Sequence, residues 1–214
     1  MKRYAALLVI LMMAVPVAAF AGPNAGAALL ASAGSDTKTT PATCAALGGR
    51  LCADLTPNNN TQLGPLLSWV AVYVGRIPPL TAISGVDFGI QYNANAIYQA
   101  AWTGCGSLEV QGTGWPASGS GNTVVWTSPQ AGETILVGYF TAKKYLGYGS
   151  TDFALIAHPL YGTARVTDGS NFDDLRYPAV ANLEGNGGFN PPCLFEEVNV
   201  KPTTWGNIKN LYQN

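Results

Sequence analysis

The sequence predicts an all-β protein: an antiparallel β-sandwich with one short helix at the C-terminus. Apolar and polar residues alternate with period 2 in many short runs, Gly- and Pro-rich turns separate those runs, and helical periodicity is nearly absent before the end of the chain. Composition points the same way, with 25 Gly and 14 Pro in 214 residues and only 11% charged.

The chain opens on a different signal. Met1-Lys2-Arg3 is basic, Ala5 to Val15 is an unbroken apolar run, and Ala19-Phe20-Ala21 is a small-x-small site ahead of Gly22. This is the layout of a secretory signal peptide over residues 1–21, and the apolar run is short for a membrane span. No Cys stands at the cut to carry a lipid. The expectation is an exported protein, secreted or at the cell surface, with no membrane span after cleavage. Residues 22–193 then form a single disulfide-supported domain, and 194–214 a tail.

Gly22 to Ala33 is small and apolar, fit for a first strand or a loose segment. Ser35 to Asn60, rich in Thr, Pro and Asn, reads as loop. Val70, Val72 and Val74 alternate with Ala71, Tyr73 and Gly75. Val86, Phe88, Ile90 and Tyr92 alternate with Asp87, Gly89, Gln91 and Asn93, the cleanest strand pattern in the chain. Strands also follow at Ile97–Trp102, Ser107–Gln111, Thr123–Thr127, Glu133–Ala142, Asp152–His158 and Thr163–Thr167. Turns are expected at Gly112–Gly114, Ser118–Gly121, Pro129–Gly132 and Gly147–Ser150, and a loop over Pro178–Pro192. After Pro202, Thr204 can cap a short helix that puts Trp205, Ile208, Leu211 and Tyr212 on one stripe. The stripe either packs on its own domain or docks to a partner.

The formal net charge is −1, and losing Lys2 and Arg3 makes the mature chain more acidic. That balance excludes nucleic acid as a partner. Four cysteines in an exported chain, Cys44, Cys52, Cys105 and Cys193, read as two disulfides with three possible pairings. Proximity across Gly48-Gly49 favours Cys44–Cys52, which leaves Cys105–Cys193. The spacing lacks any Cys-x-x-Cys pair, so no zinc or other metal site is expected and no cofactor is implied.

Catalytic chemistry finds little support. His158 is the only histidine, it precedes Pro159, and no Gly-x-Ser-x-Gly elbow exists to pair with it. It reads as a partly exposed strand-end residue. Glycoside hydrolysis needs two facing carboxylates; Asp87, Glu109, Glu133 and Asp152 are available, but nothing in the sequence brings two together. Asp168-Gly-Ser-Asn171-Phe-Asp173-Asp174 has oxygens that suit Ca²⁺ but lacks the EF-hand spacing, and reads as a polar turn.

Aromatic residues are the strongest binding signal. Trp126 and Tyr139 lie within apolar strands and are expected in the core. Trp115, before Pro116, and Tyr145 and Tyr148, in the turn after Lys143, are expected to be exposed and to offer flat rings to a ligand.

Ile83-Ser-Gly-Val-Asp-Phe-Gly-Ile-Gln-Tyr-Asn93, Gly114–Trp126, Tyr145-Leu-Gly-Tyr-Gly149 and His158-Pro-Leu-Tyr-Gly162 resemble a group of exported proteins of environmental bacteria. Those share a mature start like Gly22–Gly26, a late cysteine like Cys193 and an end like Thr204–Tyr212. The group has no assigned activity to carry over. A looser similarity, over about Trp69 to Asp168, is to cohesin-like, immunoglobulin-like and carbohydrate-binding sandwiches. The combined expectation is a non-catalytic exported module that binds a polysaccharide or a surface protein. The alternative is a structural or assembly component docking through its C-terminal segment, and a glycoside hydrolase ranks last.

Overall fold

Two long strands organise the molecule. The computed structural model describes residues 22–35, 42–60, 68–145 and 147–194, and within them β3 (Ser68–Tyr92) and β6 (Gly121–Lys144) run antiparallel along most of their length. Around this pair lie β1 (Ala28–Ser35), β2 (Asn58–Asn59), β4 (Ile97–Gly104), β5 (Leu108–Gln111), β7 (Thr151–Ile156), β8 (Arg165–Thr167), β9 (Phe172–Asp174) and β10 (Ala179–Leu183). The register between β3 and β6 shifts at Val72/Tyr73 and repeatedly between Gly75 and Gly85. Irregularities of this kind let a strand pair bend and serve two layers.

The first layer holds β1, the first half of β3, the second half of β6, and β4; the second holds β10, β7, the second half of β3, the first half of β6, and β5. β8 and β9 extend it beside Gly85–Asp87. Val70, Val72 and Val74 from one half of β3 share a core with Val86, Phe88 and Ile90 from the other. Facing halves with a common apolar filling make a predominantly antiparallel β-sandwich, in which β2 and β10 pair in parallel.

β1 and the first half of β3 are buried on both sides, which explains why β1 has no polar face. Leu29 and Ala31 point to the inner core, while Ala28 and Leu30 point outward to a second cluster with Ala71, Tyr73 and Tyr139. That outer face is covered by helix α1 (Cys44–Leu47) and the 3-10 turn Cys52–Asp54, whose Leu47 and following Leu55 are buried. Tyr73 donates to the Leu47 carbonyl at 2.8 Å, and burial pushes its phenol up to about 12.

All four cysteines pair, but not as proximity suggested. The bonds are Cys44–Cys105 and Cys52–Cys193, with Cα atoms 5.7 and 6.2 Å apart. Leu47 and Leu55 anchor the cover segment on the sheet, and its two cysteines pack against the same cluster as Cys105 and Cys193. Each therefore meets the body of the domain, and the segment is stapled at two places instead of closed on itself.

Several expected loops carry structure. Ser35–Asn60 contains α1, the 3-10 turn and β2, and Pro178–Pro192 contains β10, which pairs with β7. The turn expected at Pro129–Gly132 lies inside β6, where Gly132 still pairs with Leu80. The expected signal peptide and C-terminal helix lie outside the described residues. Among the described residues no helix is long and apolar enough to cross a membrane.

Candidate functional site

Tyrosines gather at one end of the sandwich, where β6 runs out. Lys144, the last residue of β6, pairs with Ile97 on β4. Its Nζ donates to the Gly149 carbonyl and pairs with Glu184, and this ammonium is nearly buried. The backbone N–H of Tyr145 donates to Ala96 O at 2.9 Å. The turn 145–149 is thus held at its start by a backbone bond and at its end by a buried cation. Gly147 and Gly149 have φ of +91° and +63°, values that favour glycine and let the chain reverse there.

On this turn Tyr145 contacts Tyr98 of β4, with centroids 4.6 Å apart, and Tyr148, with centroids 6.3 Å apart. The three rings are 49%, 50% and 51% exposed for Tyr145, Tyr98 and Tyr148 respectively. They form a ledge whose rings tilt about 40° to one another (43° and 40°). Tyr145 and Tyr148 were expected to be exposed. Tyr98 was not singled out, although its place next to the inward Ile97 in an alternating strand was the signal for an outward ring.

A polar cleft of about 480 Å³ lies between Gln91 at the end of β3, with Asn93 just beyond it, and Ser150, Thr151 and Asp152 around the start of β7. The turn that carries Tyr145 and Tyr148 continues directly into Ser150, and Asn93 begins the turn that leads to β4 and Tyr98. Asp152 is oriented by Asn182, whose Nδ2 donates to its Oδ1 at 2.6 Å. Tyr92 floors the cleft, stacked on Phe153 with centroids 5.1 Å apart. Its hydroxyl donates to Pro116 O, and burial raises its pKa. Apolar rings beside amides, hydroxyls and one carboxylate suit a neutral, hydroxyl-rich ligand.

Trp115 belongs elsewhere. The expectation of an exposed ring fails, because it packs against Phe88, Trp102 and Phe140 with centroids 5.6, 5.5 and 5.5 Å away. The residue sits in a polar loop, but the loop folds its ring back onto the inner core. Trp126 and Tyr139 are buried as expected, Trp126 in the inner core and Tyr139 in the outer cluster.

His158 also departs from expectation, being buried instead of partly exposed. Its Nδ1 accepts from the Leu160 N–H at 3.2 Å, and its ring lies 4.6 Å from that of Tyr161. Burial lowers its pKa, opposed by the nearby Asp87 carboxylate. Asp87 is itself neutralised by Arg165 at 2.6 Å and accepts from the Thr123 hydroxyl. The other carboxylates are each held in a separate place. Glu109 accepts from the Trp102 indole at 2.9 Å and Asn122 at 3.0 Å, and Glu133 accepts from Cys52 N at 2.8 Å. Asp168 accepts from the N–H groups of Ser170 and Asn171, an Asx turn, and bonds to Asn171 hold its carboxyl below the usual range. The stripe Trp205, Ile208, Leu211 and Tyr212 lies outside the described residues.

A second exposed patch was not foreseen. Leu160, Tyr161, Phe172 and Tyr177 are 76%, 43%, 59% and 37% exposed. The Arg165 guanidinium lies over the Tyr161 and Phe172 rings at 3.7 and 4.2 Å. Phe172 was hidden in the sequence by its acidic neighbours.

No protein-family model matches the chain, and no curated protein matches it. Among solved structures, it is similar to the second type II cohesin module from the cellulosomal adaptor ScaA scaffoldin of Acetivibrio cellulolyticus, at 13% identity and TM-score 0.43, covering 74% of this chain and 98% of that one. The sandwich assignment itself rests on the strand pairing described above.

Proposed function

We propose that this protein is an exported, non-catalytic binding module that recognises a polysaccharide through the Tyr98–Tyr145–Tyr148 ledge and the adjoining cleft. The observation that carries this reading is the ledge itself: half-exposed Tyr145 and Tyr148 on a turn clamped by Lys144, half-exposed Tyr98 on β4 against them, and Gln91, Asn93 and Asp152 nearby in the chain. Rings offer stacking faces to a sugar, and amides and a carboxylate offer hydrogen bonds to its hydroxyls. The turn is held before ligand arrives, which lowers the ordering cost of binding. Retention on a panel of insoluble polysaccharides tests it. Wild type is retained by at least one, and Tyr145→Ala/Tyr148→Ala is not. A wild type that passes freely through the whole panel overturns the polysaccharide reading.

A second reading has its own observation. The patch of Leu160, Tyr161, Phe172 and Tyr177 around Arg165 has the aromatic and arginine content of a protein interface. On that reading the ligand is a surface protein, and Phe172→Ser abolishes binding while the tyrosine variants do not.

A further inference from the structure

Asp173 on β9 is a buried carboxylate, 7% exposed, and among the described residues no lysine or arginine pairs with it. Its partners are two backbone N–H groups. Asn24 N donates to one oxygen at 2.9 Å, and Gly22 N donates to the other at 2.7 Å. A buried negative charge held by neutral donors alone is costly, and a cation at either donor position would offset that cost.

Gly22 is also the residue that follows the small-x-small site Ala19-Phe20-Ala21. The segment it begins is tied down from its first atom. Ala25 N donates to Gly22 O and Ala27 N to Asn24 O. The fully buried Asn24 exchanges two hydrogen bonds with the backbone of Thr81, each 2.9 Å. Arg76 Nη1 donates to the carbonyls of Pro23 and Ala25 at 2.7 and 3.0 Å. A Cβ at position 22 would stand 2.5 Å from the Asp173 carboxylate, so the site accepts a residue without a side chain.

We infer that the bond between Ala21 and Gly22 is a processing site and that the amino group released there docks as a cation on Asp173, completing the fold of the mature protein. The cleavage is a hydrolysis by a signal peptidase. One water is consumed, Ala21 leaves with a new carboxylate, and Gly22 keeps an α-amine that takes up a proton near neutral pH. What was one neutral N–H donor becomes an ammonium 2.7 Å from Asp173 Oδ1, a charge-assisted bond of the stronger kind. The fold is thereby coupled to export. The uncut chain holds Asp173 with amides only, and the cut chain supplies its counter-ion.

This inference rests on the export part of the proposed function and not on the ligand. The full 214-residue chain is expressed with its leader in a bacterial host, and the mass of the exported product gives its first residue. Transamination then converts the α-amine of that product to an uncharged carbonyl while sparing lysines, and thermal unfolding is compared before and after. The expected first residue is Gly22, and loss of the amine lowers Tm by about 2–4 °C or more. In Asp173→Asn the same treatment changes Tm much less, and the α-amine reacts faster in the native protein than it does in wild type. Failure of the chain to be exported overturns both the export reading and this one. An exported product that starts elsewhere, or melts unchanged after transamination, overturns only the docking of the amine. Should Asp173→Asn fail to fold, the wild-type pair of melting curves still decides.

Discussion

The rings around Phe140 and the rings around Tyr145 pack at similar distances but meet different surroundings. Phe140 lies 4.6 Å from Trp102 and 4.8 Å from Phe153, and Tyr145 lies 4.6 Å from Tyr98. The first group fills the space between the two layers, and Phe88, Phe140 and Phe153 have no exposed surface. The second leaves about half of each ring in water (49–51%), with Tyr98 on β4 and Tyr145 and Tyr148 on a turn that an ion pair holds in place. Ring-to-ring contact therefore does not separate core from candidate binding surface. What separates them is the support: the Phe140 group is surrounded by strands, and the Tyr145 group by strand ends. The phenol hydroxyl adds to the difference, because it can hydrogen-bond to water or a ligand where a phenylalanine cannot.

The largest effect that sharpens this contrast is in the core. Phe88→Ala removes a buried ring that touches both Trp102 and Trp115, and should cost about 3–5 kcal/mol in denaturant unfolding. Trp115→Ala, only partly covered, should cost about 1–3 kcal/mol. If Trp115→Ala is neutral, its ring does not belong to the core and the contrast with the ledge breaks down.

Trp115 shows where the sequence is readable and where it stops. Alternation placed Val86, Phe88 and Ile90 correctly, and Trp126 fell in the core as its apolar strand suggested, because a half-buried strand writes its inner face at every second residue. The loop around Trp115 has no such period, and whether its ring turns in or out depends on Phe88 and Phe140, which are distant in sequence. β10 was missed for a related reason. Ala179-Val-Ala-Asn-Leu183 is short and lies between prolines, and it becomes a strand through pairing with β7. The disulfides fail the same way, since the covering role of α1 exists only once the first layer has formed. The tyrosine turn was legible because Gly147, Tyr148 and Gly149 combine turn-forming glycine with a ring that has no strand to hide in.

His158 stands between the two classes, its ring buried and its partner Tyr161 43% exposed. Its pKa is lowered in the folded state by burial. An unfolded chain binds a proton there near pH 6.5, while the folded chain resists it to lower pH. The unfolded state thus holds more protons below that value, and stability falls as pH drops through and below about 6.5. Above it the contribution is complete. His158→Asn keeps an acceptor for Leu160 N and should flatten this part of the stability–pH curve. An unchanged slope in the variant would show that His158 is not the group that titrates.

The smallest stability effect is expected at the ledge, and it is the one that tests the contrast most directly. Tyr145→Ala/Tyr148→Ala removes two half-exposed rings from a turn whose geometry is set by Lys144, Glu184 and the Tyr145–Ala96 backbone bond. None of those supports is lost, so each substitution should shift unfolding by no more than about 0.5 kcal/mol, similar to Gln91→Ala at an exposed position near the end of β3. Retention on polysaccharide should nonetheless disappear in the double variant and weaken in Gln91→Ala, which lines the cleft without touching the rings. A double variant that loses several degrees of Tm would mean that the rings brace the turn themselves. In that case Tyr98, Tyr145 and Tyr148 form a satellite of the core, and their exposure marks the edge of packing instead of a place for a ligand.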